Sequence, residues 1–279
     1  MSSRAAWLAH LPGLRPGEPL LECAQLGQGS SSAVWRLRAR DGGDVVLRQR
    51  LRRDPQTLVA RSRSLQSLAA QYRLAPAILY ASRVEDCELH QYCAGRRWTA
   101  ADFAAPDQLR RLAERLHELH RVPIPAGWHR RTELHFNPGR DLQARWRRLA
   151  PRLDPLSASA YRQQMQTAAV CLRTVAATSH AAVPLHLDLH PGNVLDGPPL
   201  IFLDWDYASL GDPVWEWAAL WVGNEPWSAT DPPAWLRSLT GGTVDPARFN
   251  AATVVLRLLF EFWHLEQVQP AADCTYRPS

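Results

Sequence analysis

The stretch His186-Leu187-Asp188-Leu189-His190-Pro191-Gly192-Asn193, with Phe202-Leu203-Asp204-Trp205-Asp206 close behind it, decides how this chain is read. Between the two lie Val194-Leu195, then Asp196-Gly197-Pro198-Pro199, then Leu200-Ile201-Phe202-Leu203. The apolar runs and the Gly-Pro turn read as two short strands joined in a hairpin. Such a hairpin brings Asn193 and Asp204 face to face, as two oxygen ligands would stand across a metal ion.

Asp188 supplies a carboxylate at a fixed distance ahead of that pair. A carboxylate that accepts a hydroxyl proton, together with oxygen ligands that hold Mg²⁺ against nucleotide phosphates, is what phosphoryl transfer requires. Asp and Asn also cap turns in any fold. The spacing, the hairpin and Asp204 together favour the chemical reading, with Asp188 as catalytic acceptor and Asn193 and Asp204 as metal ligands. His186 reads as a brace for the loop.

Working outward, the chain falls into three zones. Residues 20–90 are strand-rich, with strands predicted over 21–26, 32–38, 44–49 and 88–92 and a helix over 57–71. Pro106-Asp107 opens a long amphipathic helix carrying Leu109, Leu112, Leu116 and Leu119 at helical spacing, and further helices are predicted over 142–149 and 157–178. His117 and His120 on the first of these read as packed or surface histidines. The last zone holds the paired motifs, a Trp-rich helix over 213–222 and an apolar helix over 246–268.

With 279 residues and 46% hydrophobic composition, the chain can bury a full core. Every basic residue is Arg, and the net charge of +5 is dispersed among acids rather than gathered in a block, so nucleic acid is not an expected partner. The five cysteines are scattered without Cys-x-x-Cys spacing, which predicts reduced, mostly buried thiols. No apolar segment reaches the length of a membrane span, and a cytoplasmic protein without membrane contact is expected.

Gly27-Gln28-Gly29-Ser30-Ser31-Ser32 lies between two predicted strands, where exposed amides of a tight turn would cover phosphates. Small residues make such turns everywhere; this one takes its meaning from standing ahead of the catalytic segments. Val45-Val46-Leu47-Arg48 then places a cation on the following strand, and Arg grips phosphate bidentately. The next helix offers Arg61, Ser62, Arg63 and Ser64 but no acid to pair with it.

On these residues the chain resembles the aminoglycoside phosphotransferase and choline kinase superfamily, whose fold is similar to that of protein kinases. The resemblance is carried by residues 27–32, Arg48, residues 186–193 and Asp204-Trp205-Asp206-Tyr207. It implies an α+β, bilobal, protein-kinase-like fold: a small β-rich nucleotide lobe over 1–92 and a larger, mostly helical catalytic and acceptor lobe over 93–279. It also implies ATP and Mg²⁺ as cofactors, with Gly27, Gly29, Ser30, Ser31 and Arg48 at the phosphates and Gln91, Tyr92 and Cys93 reading the adenine. Within the superfamily, Val45–Gln49, Leu203–Ala208 and Glu216–Val222 are most similar to bacterial thiamine kinases, with Asp206 where that pattern has Glu.

Twelve Trp is a high count, and Trp205, Trp215, Trp217, Trp221 and Trp227 gather after the motifs. Aromatic faces backed by carboxylates bind cationic rings and quaternary nitrogens. Trp205, Asp206, Trp221 and Glu225 are the resulting candidates for acceptor contact. The expected acceptor is a small cationic alcohol, thiamine first. Choline, ethanolamine, an amino sugar or an aminoglycoside are rivals within the same chemistry. A nucleotide-binding pseudokinase, drawn from the unpartnered Arg48, is the rival outside it.

Overall fold

The computed structural model describes residues 10, 22–28, 32–38, 43–51, 55–82, 86–178, 180–224 and 232–268. In chain order its strands are β1 (Glu22–Gln28), β2 (Ser32–Arg38), β3 (Asp44–Arg50), β4 (Ile78–Ser82), β5 (Cys87–Gln91), β6 (Arg96–Arg97), β7 (Val183–Leu185), β8 (Val194–Asp196), β9 (Ile201–Phe202) and β10 (Ser209–Gly211). Its α-helices are α1 (Gln56–Gln71), α2 (Ala100–Ala104), α3 (Pro106–His120), α4 (Pro138–Leu149), α5 (Pro155–Ala176), α6 (Pro213–Val222), α7 (Pro232–Thr240) and α8 (Pro246–Val268). An antiparallel sheet thus occupies the N-terminal region and helices dominate the C-terminal region, an α+β fold.

The chain forms two compact units, Met1–Pro123 with Pro191–Ala208, and Ile124–His190 with Ser209–Ser279. Each is therefore built from two separate pieces of chain. The crossing after His190 divides the motif quoted above: Asp188 belongs to the second unit, Asn193 and Asp204 to the first.

In the first unit, five strands pair antiparallel in the order β1-β2-β3-β5-β4. Side chains alternate across a strand. Val45 and Leu47 of β3 therefore join Leu37, Cys87 and Leu89 in an apolar cluster with Trp35 and Tyr80 packed against it. Arg48 and Arg50, out of phase with Leu47, share the opposite face. The strand β4 was not legible in the sequence. It lies at the sheet edge, its register slips between Ile78 and Tyr80, and Leu79 is exposed, so the two-residue alternation is blurred.

The predicted hairpin is present as β8 and β9, with Val194 opposite Phe202 and Leu195 opposite Ile201, and β6 pairs on its other side. Three groups of the same unit fix it. The Trp98 amide donates to Val194 O at 2.9 Å, the Phe202 amide to Leu74 O at 2.8 Å, and buried Arg115 of α3 donates Nε to Leu200 O at 2.9 Å. Leu112, Leu116 and Leu119 of α3 are fully buried, as their spacing requires.

In the second unit, Asp154 caps α5 by accepting from the Leu156 and Ser157 amides at 2.9 and 3.0 Å. Nearly every residue of α6 is buried, which matches a helix apolar all round. Buried Arg248 of α8 donates to Val175 O at the end of α5 and pairs with Asp212, the residue that caps α6. Through these contacts α5, α6 and α8 hold one another. Strands β7 and β10 pair antiparallel beside them.

Among the described residues, no helix is long and apolar enough to cross a membrane. Of the four described cysteines, only Cys87 is buried; Cys23 is exposed and Cys93 and Cys171 are intermediate. The expectation of mostly buried thiols is corrected accordingly, since spacing carries no information on which side of a strand or helix a lone Cys lies.

Candidate active site

Arg48 of β3 has the acidic partners that the helix after it does not offer. Its Nη1 donates to Asp206 Oδ1 at 2.9 Å and its Nη2 to Asp204 Oδ1 at 3.1 Å, with Nη2 also on Asp206 Oδ2. Arg50, on the same face of the strand, reaches Asp206 Oδ1 at 3.1 Å and Glu88 Oε1 at 3.3 Å. Glu88 stands directly opposite Arg48 on β5 and also accepts from Arg63 Nε of α1 at 2.8 Å.

Three guanidiniums and three carboxylates are thus joined in one network. Burial alone would raise the carboxyls of Glu88 and Asp206. For Glu88 the hydrogen bond from His90 and the arginine charges overcome it, and for Asp206 the charges and hydrogen bonds of Arg48 and Arg50 do, so both are held below the usual range. Burial lowers Arg48, yet Asp204 and Asp206 outweigh that effect and raise it. At the far end, Gln66 Nε2 donates to Pro76 O and lies 2.9 Å from His90 Nδ1, so Nδ1 accepts and the proton on Nε2 points at Glu88 Oε2, 3.0 Å away.

At the open end of the hairpin, the Leu203 amide donates to Asn193 O at 2.8 Å, which sets Asn193 and Asp204 at the same end of one ladder. Asp204 adopts φ 56°, a left-handed conformation that turns the chain out of β9. No group of three or more His, Cys, Asp or Glu side chains gathers around a metal position among the described residues. An amide oxygen and a carboxylate are hard donors that suit Mg²⁺, which takes one or two protein ligands and completes its shell with water and phosphate. The donor set therefore fits the ion.

In the second unit, Asp188 is half-buried in the loop after β7. Its amide donates to His186 Nδ1 at 3.3 Å, so His186, itself fully buried, braces the loop. Leu187 between them has φ 66°, a strained value for a bulky side chain. Glu216 of α6 compensates: its carboxylate accepts the amides of His186 and Leu187, at 2.5 and 3.0 Å. Eight residues further, Asn224 donates Nδ2 to Leu189 O at 3.0 Å and to Leu220 O at 2.8 Å. Both sides of Asp188 are tied to α6 and the turn that ends it. Burial pushes the Glu216 carboxyl up to about 7, against the pull of the two amides.

Over residues 22–251 the chain matches the model of the phosphotransferase enzyme family. The chain belongs to that family. A thiamine kinase of Escherichia coli O81 (strain ED1a) is 50% identical over 42 residues, a match that spans 15% of this chain and 15% of the length of that relative. Among solved structures, a choline/ethanolamine kinase family protein of Mesorhizobium loti superposes with TM-score 0.70 at 22% identity, covering 94% of this chain and 84% of the other. The choline kinase of Streptococcus pneumoniae in complex with AMP gives 0.71 at 15% identity, covering 93% and 88%. Likeness at such identities carries the kinase-like fold.

In this member of the family the remaining sequence candidates are placed as follows. Gly27 lies on β1 just after the register shift at Gln25, while Gly29, Ser30, Ser31 and Glu225 fall outside the described residues. Gln91 ends β5 and is exposed; Tyr92 and Cys93 follow, with the Arg36 guanidinium 4.6 Å over the Tyr92 ring. Trp205 is fully buried and donates Nε1 to Phe202 O at 2.8 Å. Trp215, Trp217 and Trp221 are buried within the second unit, Trp215 edge-on to Phe136 and Trp221 edge-on to Phe249. Both oxygens of Asp206 face Arg48 and Arg50, whereas its neighbour Tyr207 is exposed. Replacing Trp205 with Phe is expected to lower stability by about 2 kcal/mol, through lost packing and the lost Nε1 hydrogen bond, while acceptor KM stays unchanged. Denaturant midpoints and steady-state kinetics read the two quantities; a raised KM at wild-type stability would put the indole on the acceptor.

Glu88, Arg50, Glu216 and Asn224 were missed as site residues by sequence reasoning. Each acts on a group remote in sequence or through backbone atoms, which no local motif records. A weak signal existed for Glu88: an acid on a predicted strand paired with the strand of Arg48.

Proposed function

We propose that this protein is an ATP- and Mg²⁺-dependent small-molecule kinase of the cytoplasm. It transfers the γ-phosphoryl group to the primary hydroxyl of a small cationic acceptor, thiamine before others. The set of Asp188, Asn193 and Asp204 carries the reaction class. Residues 1–92 serve the nucleotide, with Arg48 and the turn over 27–32 at the phosphates and Gln91, Tyr92 and Cys93 at the adenine. Residues 93–279 serve catalysis and the acceptor.

Asp188 takes the hydroxyl proton as the acceptor oxygen attacks the γ-phosphorus and the bond to the β–γ bridging oxygen breaks, releasing ADP; the loop that carries Asp188 is braced for that by His186 and Glu216 through its backbone amides. Asn193 and Asp204 would hold Mg²⁺, which when bound neutralises charge on the phosphate oxygens. Thiamine is favoured by the short stretch of high identity to a thiamine kinase. Exposed Tyr207 beside the Asp204 segment is the aromatic face best placed in sequence to meet a cationic ring. The pseudokinase alternative loses its main support, because Arg48 is paired.

A panel of thiamine, choline, ethanolamine, an amino sugar and an aminoglycoside, incubated with ATP and Mg²⁺ and read by product mass, tests the proposal. Thiamine monophosphate is the expected product. Phosphorylation of another member alone would move the acceptor assignment, and no phosphorylated product from any would remove the kinase reading. Chelation of Mg²⁺ is expected to stop turnover and its re-addition to restore it.

A further inference from the structure

We propose that Asp206 is the positioning residue for Arg48, taking in this chain the place of the acid that the following helix lacks. The inference rests on the reading above that Arg48 meets the nucleotide phosphates. It differs from the expectation that Asp206 touches the acceptor.

The geometry carries it. Asp206 holds both η nitrogens of Arg48, the fork that defines the plane of a guanidinium, and its Oδ1 is shared with Arg50 Nη2 at 3.1 Å. The Arg48 side chain is 9% exposed and that of Asp206 19%, so neither end of the pair swings freely in water. A guanidinium has five N–H donors. Three contacts on Asp206 and Asp204 leave donors of Arg48 for a phosphate. Two other carboxylates compete for the same cation: Asp204, already 3.1 Å from Nη2, and Glu88, directly opposite on β5. Without Asp206, Arg48 collapses onto the candidate metal ligand or onto Glu88, and in either case it turns away from the phosphates. The charge balance also depends on Asp206, since Arg48, Arg50 and Arg63 are matched one for one by Asp204, Asp206 and Glu88.

The test measures ADP affinity directly, by fluorescence titration with a labelled ADP in the presence of chelator, alongside acceptor KM and thermal melting without nucleotide. Chelator separates an effect through Arg48 from one through a metal ion. Arg48→Gln is expected to weaken ADP binding about tenfold, a loss of one strong charge-assisted contact. Asp206→Asn is expected to weaken it to a similar degree, Asp206→Glu to stay within about twofold of wild type, and Asp206→Asn to add nothing in the Arg48→Gln background, because residues acting as a unit are not additive. Acceptor KM is expected to be unchanged. Wild-type or tighter ADP binding by Asp206→Asn, a further loss in the Arg48→Gln background, a loss seen only with Mg²⁺ present, or a rise confined to acceptor KM would each overturn the proposal. Wild-type ADP binding by Arg48→Gln would instead overturn the assignment of Arg48 to the phosphates. Should Asp206→Asn fail to fold, Arg48→Lys decides: it keeps the charge but cannot take both oxygens of Asp206, so ADP binding weakens if orientation matters and is unchanged if it does not.

Discussion

Asp188→Asn is expected to lower kcat by about three orders of magnitude while leaving melting temperature and ADP affinity at wild-type values. A positioned proton acceptor contributes typically about 10²–10⁴ in rate. The substitution is nearly isosteric on a half-buried side chain, and the contact that shapes the loop there uses the Asp188 backbone amide on His186 Nδ1, which Asn retains. Folding has no reason to suffer. Single-turnover phosphorylation of the acceptor identified by the panel checks it, and turnover close to wild type would sink the mechanism.

The second large effect is expected at Glu216. Its two oxygens accept the amides of His186 and Leu187, at and just before the residue whose φ of 66° needs outside support. A Gln there presents one acceptor and one donor to two donors, leaving a buried amide unpaired at about 1–3 kcal/mol and letting the loop shift. Since misplacement by about 1 Å can cost about 10²-fold, kcat of Glu216→Gln is expected to fall by about that factor with nucleotide affinity unchanged. Equal loss of kcat and of ADP binding would mean a general folding defect instead.

The same group predicts a pH dependence. Burial raises its folded pKa from 4.5 to about 7, so between those values the folded chain binds a proton that the unfolded chain releases. The contribution is full below pH 4.5 and is lost as pH rises through about 7, amounting to about 3 kcal/mol at about 1.4 kcal/mol per unit. Wild type is therefore expected to lose stability relative to Glu216→Gln between pH 5 and 8, read by denaturant titration at several pH values. Activity runs the other way, because both amides are accepted only by the carboxylate: kcat of the wild type is expected to rise through pH 7, and the variant to lack that inflection.

Much of the scaffold was legible because its signals are local. The helices at Pro213–Val222 and Pro246–Val268 begin at prolines and keep their apolar spacing, and the structure ends them where the sequence reading did. The hairpin of β8 and β9 was legible because its turn chemistry stands between two short apolar runs. The acid for Arg48 was not, because the helix that follows it in the chain carries none, whereas Glu88 stands opposite Arg48 through strand register and Asp206 meets it through the fold of the first unit. Nor could the Trp cluster be sorted. An indole is equally suited to a core and to a cation, and only the environment of Trp205 shows that its ring is enclosed and its N–H spent on Phe202 O.

By itself, the sequence marked the candidates for the reaction, because Asp188, Asn193 and Asp204 stand at short spacing around a hairpin whose turn chemistry is local. Only the tertiary structure decided how those groups are held. Arg48 and Asp206 are 158 positions apart, and Glu216 acts on the backbone 29 and 30 positions before it. Charges and buried amides must find partners wherever folding brings them, and that requirement is met across the fold, where no spacing in the chain records it.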